Sequence, residues 1–145
     1  MNGLGFQASY TQLEASQVNP LFSATGEAIG TMEEPMFGVS PDSYNIKVMY
    51  ETEKFSANWS YVYREAFKQR NEARLFANPL AIWRRPETSI DVQFTYDITD
   101  QVTVTLDATN ITNELYQEYY EEPDLFNFYT GNYSRTVALG IRYSM

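Results

Sequence analysis

Six stretches of the chain alternate between apolar and polar positions with the period of two that a β-strand imposes on its side chains. The first sets Leu4, Phe6, Ala8 and Tyr10 against Gly5, Gln7, Ser9 and Thr11. A pair follows: Tyr44, Ile46, Val48 and Tyr50, then Phe55, Ala57, Trp59, Tyr61 and Tyr63, joined by a tight connection near Glu51 to Lys54. A second pair runs through Ile90, Val92, Phe94, Tyr96 and Ile98, then Val102, Val104, Leu106 and Ala108, linked across Asp97 to Gln101. The last thirteen residues place Tyr133, Val137, Leu139, Ile141, Tyr143 and Met145 on one parity and Ser134, Thr136, Ala138, Gly140, Arg142 and Ser144 on the other, with Arg135 the one misfit. The pattern predicts six strands, two tight hairpins among them, and an all-β antiparallel up-and-down meander.

The connections alternate in length. Those at 51–54 and 97–101 are tight, whereas about 12–42, 65–88 and 112–132 are long and lack strong periodicity. Successive hairpins put tight turns at one end of the sheet and long loops at the other, the asymmetry of outer-membrane barrels. Ten residues at roughly 3.3 Å each, tilted about 45°, rise close to the ~25 Å apolar band of such a barrel. Tyr50, Phe55, Tyr96 and Tyr143 fall at the tight-turn ends, and Tyr44, Tyr61, Tyr63 and Tyr133 at the long-loop ends, as two interfacial girdles would require.

Composition narrows the chemistry. The 145 residues contain no His and no Cys, which removes the commonest general base, thiol chemistry and metal sites built on those ligands. No paired carboxylates with a partner base and no Gly-rich phosphate loop are present, so the chain is read as a non-enzyme with no cofactor. Ten Lys plus Arg against nineteen Asp plus Glu give a formal charge of -9, which opposes nucleic-acid binding. No apolar run approaches the roughly 18 residues of a membrane helix, and Met1 to Leu4 do not open a signal peptide. Barrel strands remain compatible with a membrane, because alternation hides their apolar face from an averaged hydropathy.

Four segments carry a resemblance: Gly3 to Tyr10 (GLGFQASY), Ser43 to Arg64 (SYNIKVMYETEKFSANWSYVYR), Asp107 to Glu114 (DATNITNE) and Gly140 to Met145 (GIRYSM). Together they resemble the C-terminal end of TonB-dependent outer-membrane receptors. In that family a plug fills a barrel of about 22 strands, so residues 1–145 look like its last six strands with the plug absent. The resemblance implies energised import of a scarce ligand such as a siderophore, a cobalamin or an oligosaccharide, in the cell outer membrane. The implied partners are outer-membrane lipid and lipopolysaccharide, the remainder of the barrel and plug, TonB through the missing N-terminal part, and the imported small ligand. A fragment of this kind is not expected to transport alone. Family members usually finish in an aromatic residue, where this chain has Met145.

Two readings stand beside it: a small soluble β-barrel or sandwich that binds a ligand inside, with its apolar parity turned inward, and a passive porin-like channel. On the membrane reading Val104, Leu106, Val137, Leu139, Ile141 and Tyr143 face lipid, while Lys47, Arg64, Asp91, Asp107 and Arg142 face the lumen, because lipid penalises charge by a few kcal/mol.

Candidate ligand contacts lie in the long loops. The stretch 65–88 is net basic through Lys68, Arg70, Arg74, Arg84 and Arg85, and the other two long loops contain no Lys or Arg. Arg84 and Arg85 beside Trp83 suit an anionic ligand; the plainer expectation pairs them with lipopolysaccharide phosphates or the acidic neighbouring loops. Tyr116, Tyr119 and Tyr120 among carboxylates suit a sugar, a small loop core or the outer girdle, and Glu121, Glu122 and Asp124 form a remote calcium candidate.

Overall fold

The computed structural model describes residues 3–72 and 80–145. Its strands are β1 (Gly3–Gln12), β2 (Ser16–Phe22), β3 (Ala28–Pro35), β4 (Asp42–Glu51), β5 (Phe55–Arg64), β6 (Phe67–Glu72), β7 (Leu80–Arg84), β8 (Glu87–Thr99), β9 (Val102–Thr109), β10 (Tyr116–Tyr120), β11 (Asn127–Gly131) and β12 (Thr136–Tyr143). The six alternating runs are β1, β4, β5, β8, β9 and β12, and they pair antiparallel in that order as one open sheet. Its hydrogen-bonded rows keep every strand in the same parity. Phe6, Val48, Trp59, Val92, Ala108 and Val137 form one row, and Leu4, Tyr50, Ala57, Phe94, Leu106 and Leu139 another. A slip of one residue at any ladder would break these rows, so the pattern itself fixes the register.

Among the described residues, nothing covers the apolar face so formed. Leu4 is 78 % exposed, Leu139 71 % and Ile141 74 %, and even on central strands Phe94 and Leu106 remain open. Both outer strands, β1 and β12, end the sheet without a further neighbour among the described residues. Aromatic bands cross this face at its two ends. Tyr44 stacks on Tyr63 at 4.8 Å and on Tyr61 at 5.8 Å beside the long connections, while Tyr50 meets Phe55 at 6.3 Å beside a tight turn.

The expectation of six strands is corrected, because each long connection also carries a pair of strands. β2 and β3 form a two-stranded sheet, and β6, β7, β10 and β11 form a four-stranded sheet in the order β11-β10-β7-β6. The turn between β2 and β3 uses Gly26 at φ 84°, a left-handed conformation that favours glycine. Buried residues gather at this end of the molecule: Ile82 is fully buried, and Phe67, Ala81, Tyr119, Lys68, Glu118 and Glu34 are nearly so. The final strand also starts later than its alternation suggests. Ser134 sits at φ 58°, its amide held 2.9 Å from Asn132 Oδ1, so extended backbone begins only at Thr136. Tyr133 is therefore off the sheet, packed edge-on against Tyr116 at 5.9 Å instead of joining a girdle.

Candidate functional site

Strand alternation sorts the expected contact residues onto two faces of the four-stranded sheet. Ladder pairs place Arg84 opposite Glu118 and Phe67, and Trp83 opposite Tyr119 and Lys68. On the first face the Arg84 guanidinium lies 3.7 Å from the Tyr116 ring centroid and pairs with Glu87. Arg70 reaches Glu118 at 3.2 Å, and the Tyr116 hydroxyl donates to the other oxygen of the same carboxylate. Burial, with the Glu118 carboxylate beside it, raises the Tyr116 phenol above its ordinary value. On the second face Arg85 donates to the Pro123 carbonyl and lies 5.5 Å from the Tyr119 ring, whose phenol is likewise pushed up, mainly by burial. Tyr120 packs edge-on against Phe128 at 4.8 Å.

The six expected residues thus lie in or beside one sheet but do not converge on one pocket. Trp83 lines one cavity, and Arg84 and Tyr116 line another. Arg84 pairs with Glu87 of its own long connection, and Arg85 donates to the Pro123 carbonyl of the acidic one, while the Nε of each is buried without a hydrogen-bond partner. Arg74 lies outside the described residues. Glu121 accepts the Ala81 amide at 2.7 Å, and no three carboxylates converge among the described residues, so the calcium candidate is not assembled.

The cavity lined by Trp83, about 580 Å³, opens between the β2–β3 hairpin and β6. Its wall includes the buried pair Lys68–Glu34. Glu34 is the hub, accepting from Lys68, from Asn19 and from Asn71 Nδ2 at 3.1 Å. Burial alone would raise the Glu34 carboxyl; the three donors and the Lys68 charge outweigh it and hold it below the ordinary value. Hairpin and sheet are tied again where the Gly38 amide donates to the Lys68 carbonyl at 2.9 Å. Sequence reading missed Glu34 and its donors Asn19 and Asn71, and counted Lys68 only among the residues that make 65–88 net basic. The available signal was the turn glycine Gly26 between two short β-prone stretches.

The second cavity, about 340 Å³, stands at the loop end of the sheet's polar face, where Arg64 pairs in register with Glu87. Arg64 donates to the Gly38 carbonyl at 2.7 Å and covers the Phe67 ring at 3.9 Å. Lys47, Ser60 and Asp91 share a row on this face, and Asp107 accepts from Gln93 at 2.6 Å. Arg142 lies opposite Thr103 on the same face. The five residues expected on an inner wall therefore share one side of the sheet. Val104, Leu106, Val137, Leu139, Ile141 and Tyr143 share the opposite side.

Asn110 fixes the entry to the last long connection. At φ 50° it receives the Glu114 amide on Oδ1 at 2.8 Å, while its Nδ2 reaches the Glu114 and Ser134 carbonyls, both at 3.3 Å. No family model, curated protein or solved structure matches the chain.

Proposed function

We propose that this chain is the C-terminal barrel segment of a TonB-dependent outer-membrane receptor, held in the outer membrane and contributing to the import of a scarce small ligand. The observation that carries the reading is the in-register apolar face spanning all six strands of the main sheet, left uncovered by the described residues. In water such a face is an association surface; in a bilayer it is the lipid-facing wall. The opposite face carries the charges, as an aqueous or plug-filled interior requires. Both tight turns lie at one end, and every connection with its own hairpin lies at the other, which fits periplasmic turns and external loops. Transport by this segment alone is not expected, since the plug and the rest of the wall belong to the proposed machine.

The absence of Cys makes single reporters clean. Cysteines placed one at a time at Val104, Leu139 and Ile141 and labelled with a nitroxide should be relaxed by a lipid-soluble quencher and shielded from an aqueous one. Aqueous access at all three, or protection from both quenchers in a detergent-free monomer, would replace this reading with that of a soluble ligand-binding barrel or sandwich.

A further inference from the structure

The groove between the β2–β3 hairpin and β6 has a floor and a rim of different chemistry. Trp83 comes from the four-stranded sheet, Ala66 from its approach, and Leu13, Val39 and Pro41 from the segments flanking the hairpin, so most of the lining is apolar; the Phe67 ring lies on the sheet's other face, under Arg64. Its volume, about 580 Å³, falls within the range of small-molecule sites. Three carboxylates, Glu14, Glu33 and Glu34, border it against one cation, Lys68.

That cation is already used. Lys68 and Glu34 neutralise each other in a buried pair, which leaves Glu14 and Glu33 as the uncompensated charges. Both are exposed, and Glu33 is held by a hydroxyl donation from Ser16 at 2.5 Å. Among the described residues, the arginines of the neighbouring strands stand outside the groove lining and turn terminal nitrogens to groups of this chain: Arg70 to Glu118, Arg84 to Glu87 and Arg85 to the Pro123 carbonyl. An anionic occupant would meet two carboxylates and, among the described residues of the groove wall, no unpaired cation. A neutral polyol would leave the apolar floor poorly covered. An apolar body bearing one positive group matches both parts, its ring against Trp83 and its charge at the rim.

We infer that this groove binds an amphiphilic organic cation, an aromatic or alicyclic body carrying an ammonium or guanidinium group. This rests on the receptor reading only in making the occupant the transported ligand; the binding itself belongs to the groove.

The test uses the full chain folded in nonionic detergent and three matched probes: 1-naphthylmethylammonium, 1-naphthalenemethanol and 1-naphthoate. Calorimetry should show the ammonium binding roughly tenfold or more tighter than the alcohol, and the carboxylate not at all, with affinity falling as salt rises. The double variant Glu14→Gln/Glu33→Gln should bring the ammonium to the level of the alcohol and leave the alcohol unchanged. Trp83→Ala should weaken both. Binding of the naphthoate as tightly as the ammonium, indifference of the ammonium to the double variant, or no binding by any probe would each overturn the inference. Such a failure leaves the lipid-access result untouched, so the two readings fail separately.

Discussion

Lys68 and Glu34 meet across 34 positions of sequence, with their side chains only 6 % and 5 % exposed, and their ion pair joins the β2–β3 hairpin to the edge of the four-stranded sheet. No ladder connects β3 to β6, so this pair, the Asn71 donation and the Gly38–Lys68 backbone bond carry much of the junction. Buried pairs are asymmetric in their energetics: the pair itself contributes little, whereas losing one member strands a charge.

Lys68→Met should therefore destabilise the hairpin junction by about 3 kcal/mol, and Glu34→Leu/Lys68→Met should recover most of that loss. Amide exchange at β3 and β6 in the detergent-folded protein reads the difference. Equal protection in the single and double variants would mean that the junction is held by something else.

The same carboxylate makes the junction sensitive to acid. Because the folded Glu34 carboxyl sits below the ordinary value of 4.5, its contribution is full above that value, erodes as pH falls beneath it, and is gone once pH has passed through the lower folded-state value. Protease nicking of the β2–β3 turn should rise in that acid window in the parent chain. Glu34→Gln should remove the dependence, and a parent chain whose nicking is flat through the window would contradict the linkage.

The main sheet was legible because half-buried or one-sided strands advertise their parity, and the six runs appear as its strands, the last of them beginning at Thr136 and not at Tyr133. The charged positions Lys47, Asp91, Asp107 and Arg142 also sort by parity alone, for the same reason. Among the loop-end strands, β6, β7 and β10 escaped because they are short and bury adjacent residues instead of alternate ones. β2 contains Pro20, which argues against a strand, and β10 buries the adjacent residues Glu118 and Tyr119. Pairings such as Lys68 with Glu34 depend on how separate hairpins lie together, and no local pattern encodes that. Trp83 and Arg84 were recognisable as loop-end residues, yet adjacency in a strand sends them to opposite faces and into different cavities.

Asn110 combines a left-handed backbone with three side-chain hydrogen bonds, and the two roles separate by substitution. Asn110→Gly keeps the conformation and loses the bonds; Asn110→Ala loses both. Alanine should cost about 2 kcal/mol and glycine about 1 kcal/mol less than that, by denaturant unfolding in detergent. Equal losses would assign the whole effect to the hydrogen bonds.

Gly140 faces Thr105 across the β9–β12 ladder so closely that an added Cβ would lie 2.6 Å from Thr105 Oγ1. The hydroxyl can rotate away, which limits the penalty. Gly140→Ala should cost about 1 kcal/mol, and Thr105→Ala in the same chain should restore it. A double variant no more stable than Gly140→Ala alone would place the cost in the backbone of β12 instead.

Adjacent positions on β12 give the sharpest separation of the two faces. Leu139 lies in the apolar row beside Leu106, and Ala138 lies opposite Asp107 on the charged side. In a lipid-facing wall a Lys at the midplane costs about 2–4 kcal/mol, whereas the same residue on an aqueous inner wall costs little. Leu139→Lys should therefore impair folding into bilayers by that amount, and Ala138→Lys should fold nearly as the parent does, with Asp107 across the ladder favouring the new charge. Folding yield and urea stability in vesicles measure both variants in one experiment. If Leu139→Lys is tolerated and Ala138→Lys is not, the apolar side faces inward, and the membrane assignment fails together with the inner wall built from Lys47, Arg64, Asp91, Asp107 and Arg142.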